Sequence, residues 1–267
     1  MSLIARSFAL LLSLAPLTLG VLAAGCSAET SEEDVDTASS DLTGKLTPAQ
    51  LAATKAQLRA IANANMTRTD NFAAVRTQVD PLVEKLARHF GQRSATQKIP
   101  LVAGAWRQLW SDYPYPMTPF ISMDPTQVYQ VVSASGHYWN VGDQKALGFL
   151  GLTGVLRGKF EPSGTKIALE FTAVGFRFGR VSRGTDLVGF ADDLESGDAY
   201  YLPTPGGGKA PRGPVGIKGT LETLYVDADL RVDRGTQEDF VDGQGAVLVP
   251  GYGPKIFVLD RVVAPAK

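Results

Sequence analysis

Two rhythms divide the chain. From Leu51 to Phe90 apolar residues recur at helical spacing, whereas beyond about residue 100 they fall into short runs broken by Gly, Pro, Ser and Asp. Thr47-Pro48-Ala49-Gln50 supplies a capping hydroxyl, a proline in the first turn and a glutamine at the third position, which marks a helix start. Leu51, Leu58 and Ile61 then share one side of a helix reaching about Asn63. Phe72, Val75, Val79, Leu82, Val83, Leu86 and Phe90 form a second helical stripe. Pro81 lies inside it and removes a backbone hydrogen bond, so a kink or a restart at Asp80 is expected. Glu84, Lys85 and Arg88 identify these stripes as faces that pack on a sheet rather than face a membrane.

The later runs predict strands at 106–113, 127–133, 138–141, 150–160, 166–174, 199–202, 215–226, 230–234 and 255–263. Pro162-Ser163-Gly164 reads as a hairpin loop, after which Ile167, Leu169 and Phe171 alternate with Lys166, Ala168, Glu170 and Thr172. Such alternation puts one face in a core and leaves the other partly wet. Residues 203–213 and 236–254 read as long loops. With about eight strands, no βαβ rhythm and no internal repeat, the expected fold is mainly β with N-terminal helices: an antiparallel barrel.

Composition changes this picture at the N-terminus. Arg6 precedes the apolar run Phe8 to Leu22, which is too short to cross a bilayer comfortably and has the order of a secretory signal. It ends in Leu22-Ala23-Ala24-Gly25-Cys26, which resembles the bacterial lipobox and contains the only cysteine among 267 residues. Residues 1–25 are therefore expected to be a lipoprotein signal, with Cys26 carrying the lipid; the alternative is an ordinary signal cut after Ala28. Residues 26–46 hold Glu29, Glu32, Glu33, Asp34, Asp36 and Asp41 against Lys45 alone, too little apolar surface to offset ordering. They read as a tether before one domain at 47–263. Ser27 after the cysteine fits an outer-membrane address under Gram-negative sorting. A formal net charge of −1 provides no basic field for nucleic acid.

Candidate chemistry is sparse. His89 lies on the second helix beside Arg88 and reads as a surface residue, and His137 follows Gly136 at a turn and reads as solvated; neither has the company a zinc site requires. No metal site, cofactor or catalytic residue is expected. Gly-x-Ser-x-Gly is absent, and Gly206-Gly207-Gly208-Lys209 lacks the spacing of a phosphate loop. Only Asp227, Asp229 and Glu222, near Arg231 and Arg234, could serve as an acid–base set. The competing account is a tight turn at Asp227-Ala228-Asp229 whose carboxylates bind backbone amides, and that structural account is preferred.

The same segment carries a resemblance. Leu221-Glu222-Thr223-Leu224-Tyr225-Val226-Asp227-Ala228-Asp229-Leu230-Arg231-Val232-Asp233-Arg234-Gly235 closely resembles the C-terminal signature of the plastid lipid-associated proteins, or plastid fibrillins. Phe257-Val258-Leu259-Asp260-Arg261 matches the strand that follows it, Gly104-Ala105-Trp106-Arg107-Gln108-Leu109-Trp110-Ser111 is similar to the family's opening strand, and Gln127-Val128-Tyr129-Gln130 to its second. The family's short turn after Arg-Gly is replaced here by residues 236–255, and 203–213 reads as an insertion. The resemblance implies a lipocalin-like barrel associated with lipids, carotenoids or prenylquinones and without enzymatic activity. By analogy with lipocalins it implies that Trp106 closes the barrel floor beneath Arg231 or Arg261.

Strand alternation nominates Tyr129, Val131, Ile167, Leu169, Phe171, Leu224 and Phe257 for the apolar interior. The leading expectation is a membrane-tethered binder or carrier of a hydrophobic small molecule. The alternatives are a structural lipoprotein with a filled barrel, meeting a protein partner through 236–254, and a hydrolase built on Asp227, Asp229 and Glu222.

Overall fold

The computed structural model describes residues 44–68, 70–113, 121–146, 150–179, 187, 215–241 and 243–262. Cys26, the strand expected at 199–202 and the insertion at 203–213 lie outside these residues. Helix α1 (Pro48–Ala64) opens with both capping-box bonds between Thr47 and Gln50. Helix α2 (Phe72–Phe90) runs unbroken through Pro81, so the restart expected at Asp80 does not occur. Thr77, whose carbonyl loses its partner, and Pro81 are exposed. The buried stripe Val75, Val79, Leu82, Val83, Leu86 and Phe90 stays in phase on either side of the proline, so packing carries the helix across it.

Apolar periodicity gives no sign of a third helix, α3 (Ala95–Val102), even though Pro100 lies inside it. Its signature is the capping box of Ser94 and Gln97, with both reciprocal bonds formed.

The strands are β1 (Gly104–Ser111), β2 (Ile121–Val132), β3 (His137–Ala146), β4 (Leu150–Ser163), β5 (Lys166–Phe178), β6 (Lys218–Val226), β7 (Leu230–Gln237), β8 (Phe240–Val241), β9 (Val247–Val249) and β10 (Tyr252–Arg261). Eight of them close into a barrel in the order β1-β10-β7-β6-β5-β4-β3-β2, and every neighbouring pair is antiparallel. The fold is thus the mainly β barrel with N-terminal helices that the sequence pattern implies. One correction concerns 236–254, which is not all loop: Phe240 and Val241 pair with Val249 and Val247 in a separate hairpin. Two short apolar runs flanking Gly243-Gln244-Gly245 were enough to form it.

Register separates the two faces of the barrel wall. Trp106 pairs with Arg261 and Gln130, Leu259 with Arg231, and Phe257 with Asp233, so these side chains share one face. Tyr138 pairs with Val132 and Gly158 on that same face. The Tyr138 phenol feels the charges of Arg231 and Asp233, although β3 and β7 stand on opposite sides of the ring. Only groups facing the interior can meet that way. The other face is external, and there Tyr225 of β6 packs edge-on to Phe90 of α2 with ring centroids 5.9 Å apart.

The outer surface carries two apolar layers. Beneath the helices, Leu58, Val79, Leu86 and Phe90 join Leu230, Val232, Ile256 and Val258 in one core. Farther round, Ala105, Tyr129, Val131, Trp139, Val141 and Val155 gather with Leu187.

Candidate functional site

The end of the barrel where β1 begins and β10 finishes forms a floor. Trp106 is fully buried, and its indole N–H donates to the Val102 carbonyl at 2.7 Å. Arg261 donates to the carbonyls of Ala103 and Leu101 at 3.1 and 2.9 Å. These acceptors stand at the C-terminal end of α3, where helix carbonyls have no partner of their own. The floor is therefore fastened to α3 by two side chains. The Arg261 guanidinium carbon lies 4.1 Å from the Trp106 ring centroid, and that of Arg231 lies 5.7 Å away. Burial and the neighbouring Arg231 both push the Arg261 guanidinium below its ordinary pKa.

Above the floor is a band that apolar alternation does not announce. Gln108, Gln130, Tyr138, Thr223, Arg231 and Asp233 are all buried, and register places them on the inner face. Arg231 Nη2 lies 2.5 Å from Asp233 Oδ2, with exposures of 1% and 0%. Burial raises the Asp233 carboxyl pKa, against the opposing pull of Arg231 and Thr223. Burial likewise pushes the Tyr138 phenol far above its usual range. Arg231 Nε and Nη1 and the Gln130 Oε1 have no hydrogen-bond partner. Each such orphan costs about 1–3 kcal/mol when nothing fills it.

Higher still, the inner face becomes apolar and less filled. Leu169, Phe171 and Phe257 face inward but are only partly buried, whereas Trp106, Arg231 and Leu259 below them are sealed. Two glycines let these side chains lie against the wall. A Cβ on Gly235 would stand 2.9 Å from Phe257 Cε2, and one on Gly158 would stand 3.0 Å from Leu169 and 3.3 Å from Phe171. Ile167 and Leu221 pair across β5 and β6 on the same face.

The nominated interior residues therefore divide. Ile167, Leu169, Phe171 and Phe257 face inward. Tyr129 and Val131 do not: they pair with Val141 and Trp139 and belong to the outer cluster around Leu187. Alternation gives a period but not a phase, and the buried outer layer makes both faces of β2 apolar. Leu224 sits at the bulge between Thr223 and Tyr225, where the alternation breaks. Counting in twos from Trp106, from Val132 and from Arg231 would have found Gln108, Gln130 and Asp233.

The acids considered for catalysis occupy the outside. Asp227 Oδ1 accepts the backbone N–H groups of Asp229 and Leu230 at 3.0 and 2.9 Å, and Oδ2 accepts from Lys55 at 2.6 Å and from the Tyr225 hydroxyl. Asp229 pairs with Lys55 and Arg59, and Arg59 reaches Asp260 at 2.7 Å. Glu222 pairs with Arg234 at 2.8 Å. Burial alone would raise the Asp227 carboxyl, but hydrogen bonds from Lys55, Tyr225 and Asp229 outweigh it and hold its pKa far below the usual range. These groups clamp α1 to the β6–β7 turn and leave no proton-transfer pair facing a cleft.

Among the described residues no group of three or more His, Cys, Asp and Glu side chains could hold a metal ion. A cleft of about 260 Å³ opens at β4–β6, where Phe160 and Leu169 meet the charged Lys159, Glu161, Glu170, Lys218 and Glu238. His89 is not idle at the surface: its Nδ1 accepts from the Leu46 backbone N–H at 3.0 Å, and Lys45 donates to its carbonyl at 2.8 Å.

Comparison with known proteins follows this geometry. No curated protein matches the chain. Among solved structures, the crystal structure of Rv2717c from M. tuberculosis aligns at 12% identity over 64% of this chain and 99% of that one, with a TM-score of 0.19, too low to carry an argument. The PAP_fibrillin family model matches residues 53–241, from within α1 through the barrel to β8. Family and barrel together are consistent with a lipid-associated protein. With most of its length covered by that match, the chain belongs to the PAP_fibrillin family.

Proposed function

We propose that the protein is an exported lipoprotein, held in the cell envelope through Cys26, whose barrel binds or carries a hydrophobic small molecule and catalyses no reaction. One observation carries the reading. Inward-facing Leu169, Phe171 and Phe257 remain partly exposed above a sealed floor, which is how an apolar chamber with room at its upper end presents itself. An eight-stranded barrel has an interior of the size that holds one small ligand, and each Å² of apolar surface removed from water contributes about 25 cal/mol. The pairing of Asp227, Asp229 and Glu222 supports a role without catalysis.

The test is organic extraction of the purified full chain followed by lipid mass spectrometry. An apolar molecule in near-stoichiometric amount is expected, and so is saturable rebinding after its removal. A protein that purifies empty and is saturated by no lipid would end the proposal. In the same preparation Cys26→Ser should move the chain from the membrane to the soluble fraction.

A second reading has its own observation. Val241 and Val247, paired across the β8–β9 hairpin, are 48% and 53% exposed, so the 236–254 region offers an apolar contact to a protein partner.

A further inference from the structure

We propose that the polar band on the barrel floor selects the ligand's head: an uncharged oxygen group, hydroxyl or carbonyl, seated on Arg231 with its apolar tail directed up the wall. This rests on the reading of the barrel as an apolar-ligand site and adds the class and orientation of the ligand.

The argument begins with the unused donors. Arg231 spends Nη2 on Asp233, while its Nε and Nη1 are sealed from solvent and unpaired. Buried polar groups in native proteins are almost always satisfied, yet the ion pair leaves these N–H groups, and Asp233 Oδ1 and Oδ2 beside them, without a hydrogen bond. Gln130 Oε1 is also unpaired. Gln130 is the direct cross-strand partner of Trp106, and the Arg231 guanidinium lies over that same ring. Two unpaired donors and the Gln130 acceptor thus flank one indole, and both Asp233 oxygens beside Arg231 also lack a hydrogen bond. A hydroxyl can accept from Arg231 and donate to Gln130, whereas a carbonyl can only accept.

Charge decides the form of the head. Asp233 already balances Arg231, and the nearby cations are engaged elsewhere, Lys98 on the Thr165 carbonyl and Arg261 on those of Leu101 and Ala103. A carboxylate head would stand beside Asp233 in a site sealed from bulk solvent, and like charges there repel strongly. A pure hydrocarbon would leave both donors and the acceptor orphaned. The inner face then sets the direction of the tail, because partly exposed Phe257 sits beside Asp233, two inward-facing positions along β10 from Arg261 and the floor.

Four probes with one tail separate the possibilities: retinol, retinal, retinoic acid and the hydrocarbon anhydroretinol. Each is titrated into the full-length protein stripped of co-purified lipid, with tryptophan quenching as the readout. Retinol and retinal are expected to bind at least tenfold tighter than the other two. Gln130→Leu, an apolar side chain of similar size, should weaken retinol more than retinal, because only the hydroxyl donates to Gln130. Equal affinity for all four would overturn head selection, with water as the partner of Arg231, and would leave apolar binding intact. Tightest binding of retinoic acid would overturn the uncharged head. An equal loss for retinol and retinal in Gln130→Leu would overturn the placement beside that residue. Absence of saturable binding by any probe, with no lipid extracted either, would bring down this proposal together with the function it rests on.

Discussion

The stretch from Asp227 to Arg234 places the same kinds of charge on two sides of one wall, and the two sets behave differently. Outside, Asp227 and Asp229 are half-wet and fully engaged with Lys55, Arg59 and backbone amides. Inside, Arg231 and Asp233 are sealed and under-used. Exposed pairs that cost little to desolvate can hold a helix to a barrel. A buried pair is poor glue, because removing both ions from water consumes most of what their attraction returns. The outer set is therefore a fastening, and the inner pair is kept at a stability cost that the proposed ligand head would offset.

The sharpest way to break this comparison is to remove one member of the inner pair. Arg231→Met leaves the Asp233 carboxyl buried without its counter-charge, and should destabilise the fold by about 3–5 kcal/mol in urea unfolding. Replacing both, as Arg231→Met with Asp233→Leu, should recover most of that loss while abolishing head selection in the barrel. A double variant as unstable as the single one would mean that the pair itself stabilises the fold, and the contrast would collapse.

How much of this could be read from the residues follows from what alternation encodes. The barrel and both long helices were legible because each rests on local period, whereas the floor partners Trp106, Arg231 and Arg261 came from the likeness to lipocalins and meet in the structure. Helix α3 was missed because eight residues with Pro100 inside carry no clear stripe, although Ser94 and Gln97 announced its start. Tyr129 and Val131 were misplaced because covered barrels are apolar on both faces, so hydrophobicity alone cannot choose the inner one. Asp233 and Gln130 were overlooked for the opposite reason: polar residues in a strand read as solvent-facing until register assigns them to the interior.

The outer fastening should yield a smaller effect that depends on salt and acid. Lys55→Met removes one cation shared by two carboxylates, and a loss of about 1 kcal/mol is expected, shrinking at high ionic strength. The Asp227 carboxyl titrates below its unfolded value, so its contribution is complete above an ordinary aspartate pKa near about 4 and is lost as pH falls through the lower folded value. Urea midpoints compared at about pH 7 and about pH 3 should therefore fall further for the parent chain than for Lys55→Met, in which the depression is partly relieved. Parallel curves would show that Lys55 contributes nothing through Asp227.

The smallest expected effect sharpens the distinction between fastening and site. His89 accepts the Leu46 N–H through Nδ1, a bond that only the unprotonated nitrogen can make, and burial with Lys45 nearby lowers its pKa. For a histidine depressed in this direction the stabilising contribution is whole above the unfolded value of about 6.5 and disappears as pH drops through the folded value. Because the ring is partly in water, screening limits the effect to a few tenths of a kcal/mol. It should show as release of the 44–47 segment in amide exchange as pH falls below the ordinary histidine range, before any change in the barrel. His89→Gln, whose amide oxygen can accept the same N–H without titrating, should remove that pH dependence and leave retinol affinity unchanged. A ring that titrates above the usual histidine range by NMR would show that the charged form is the one the fold prefers, and the Leu46 contact would then not be what holds the start of α1 to the end of α2.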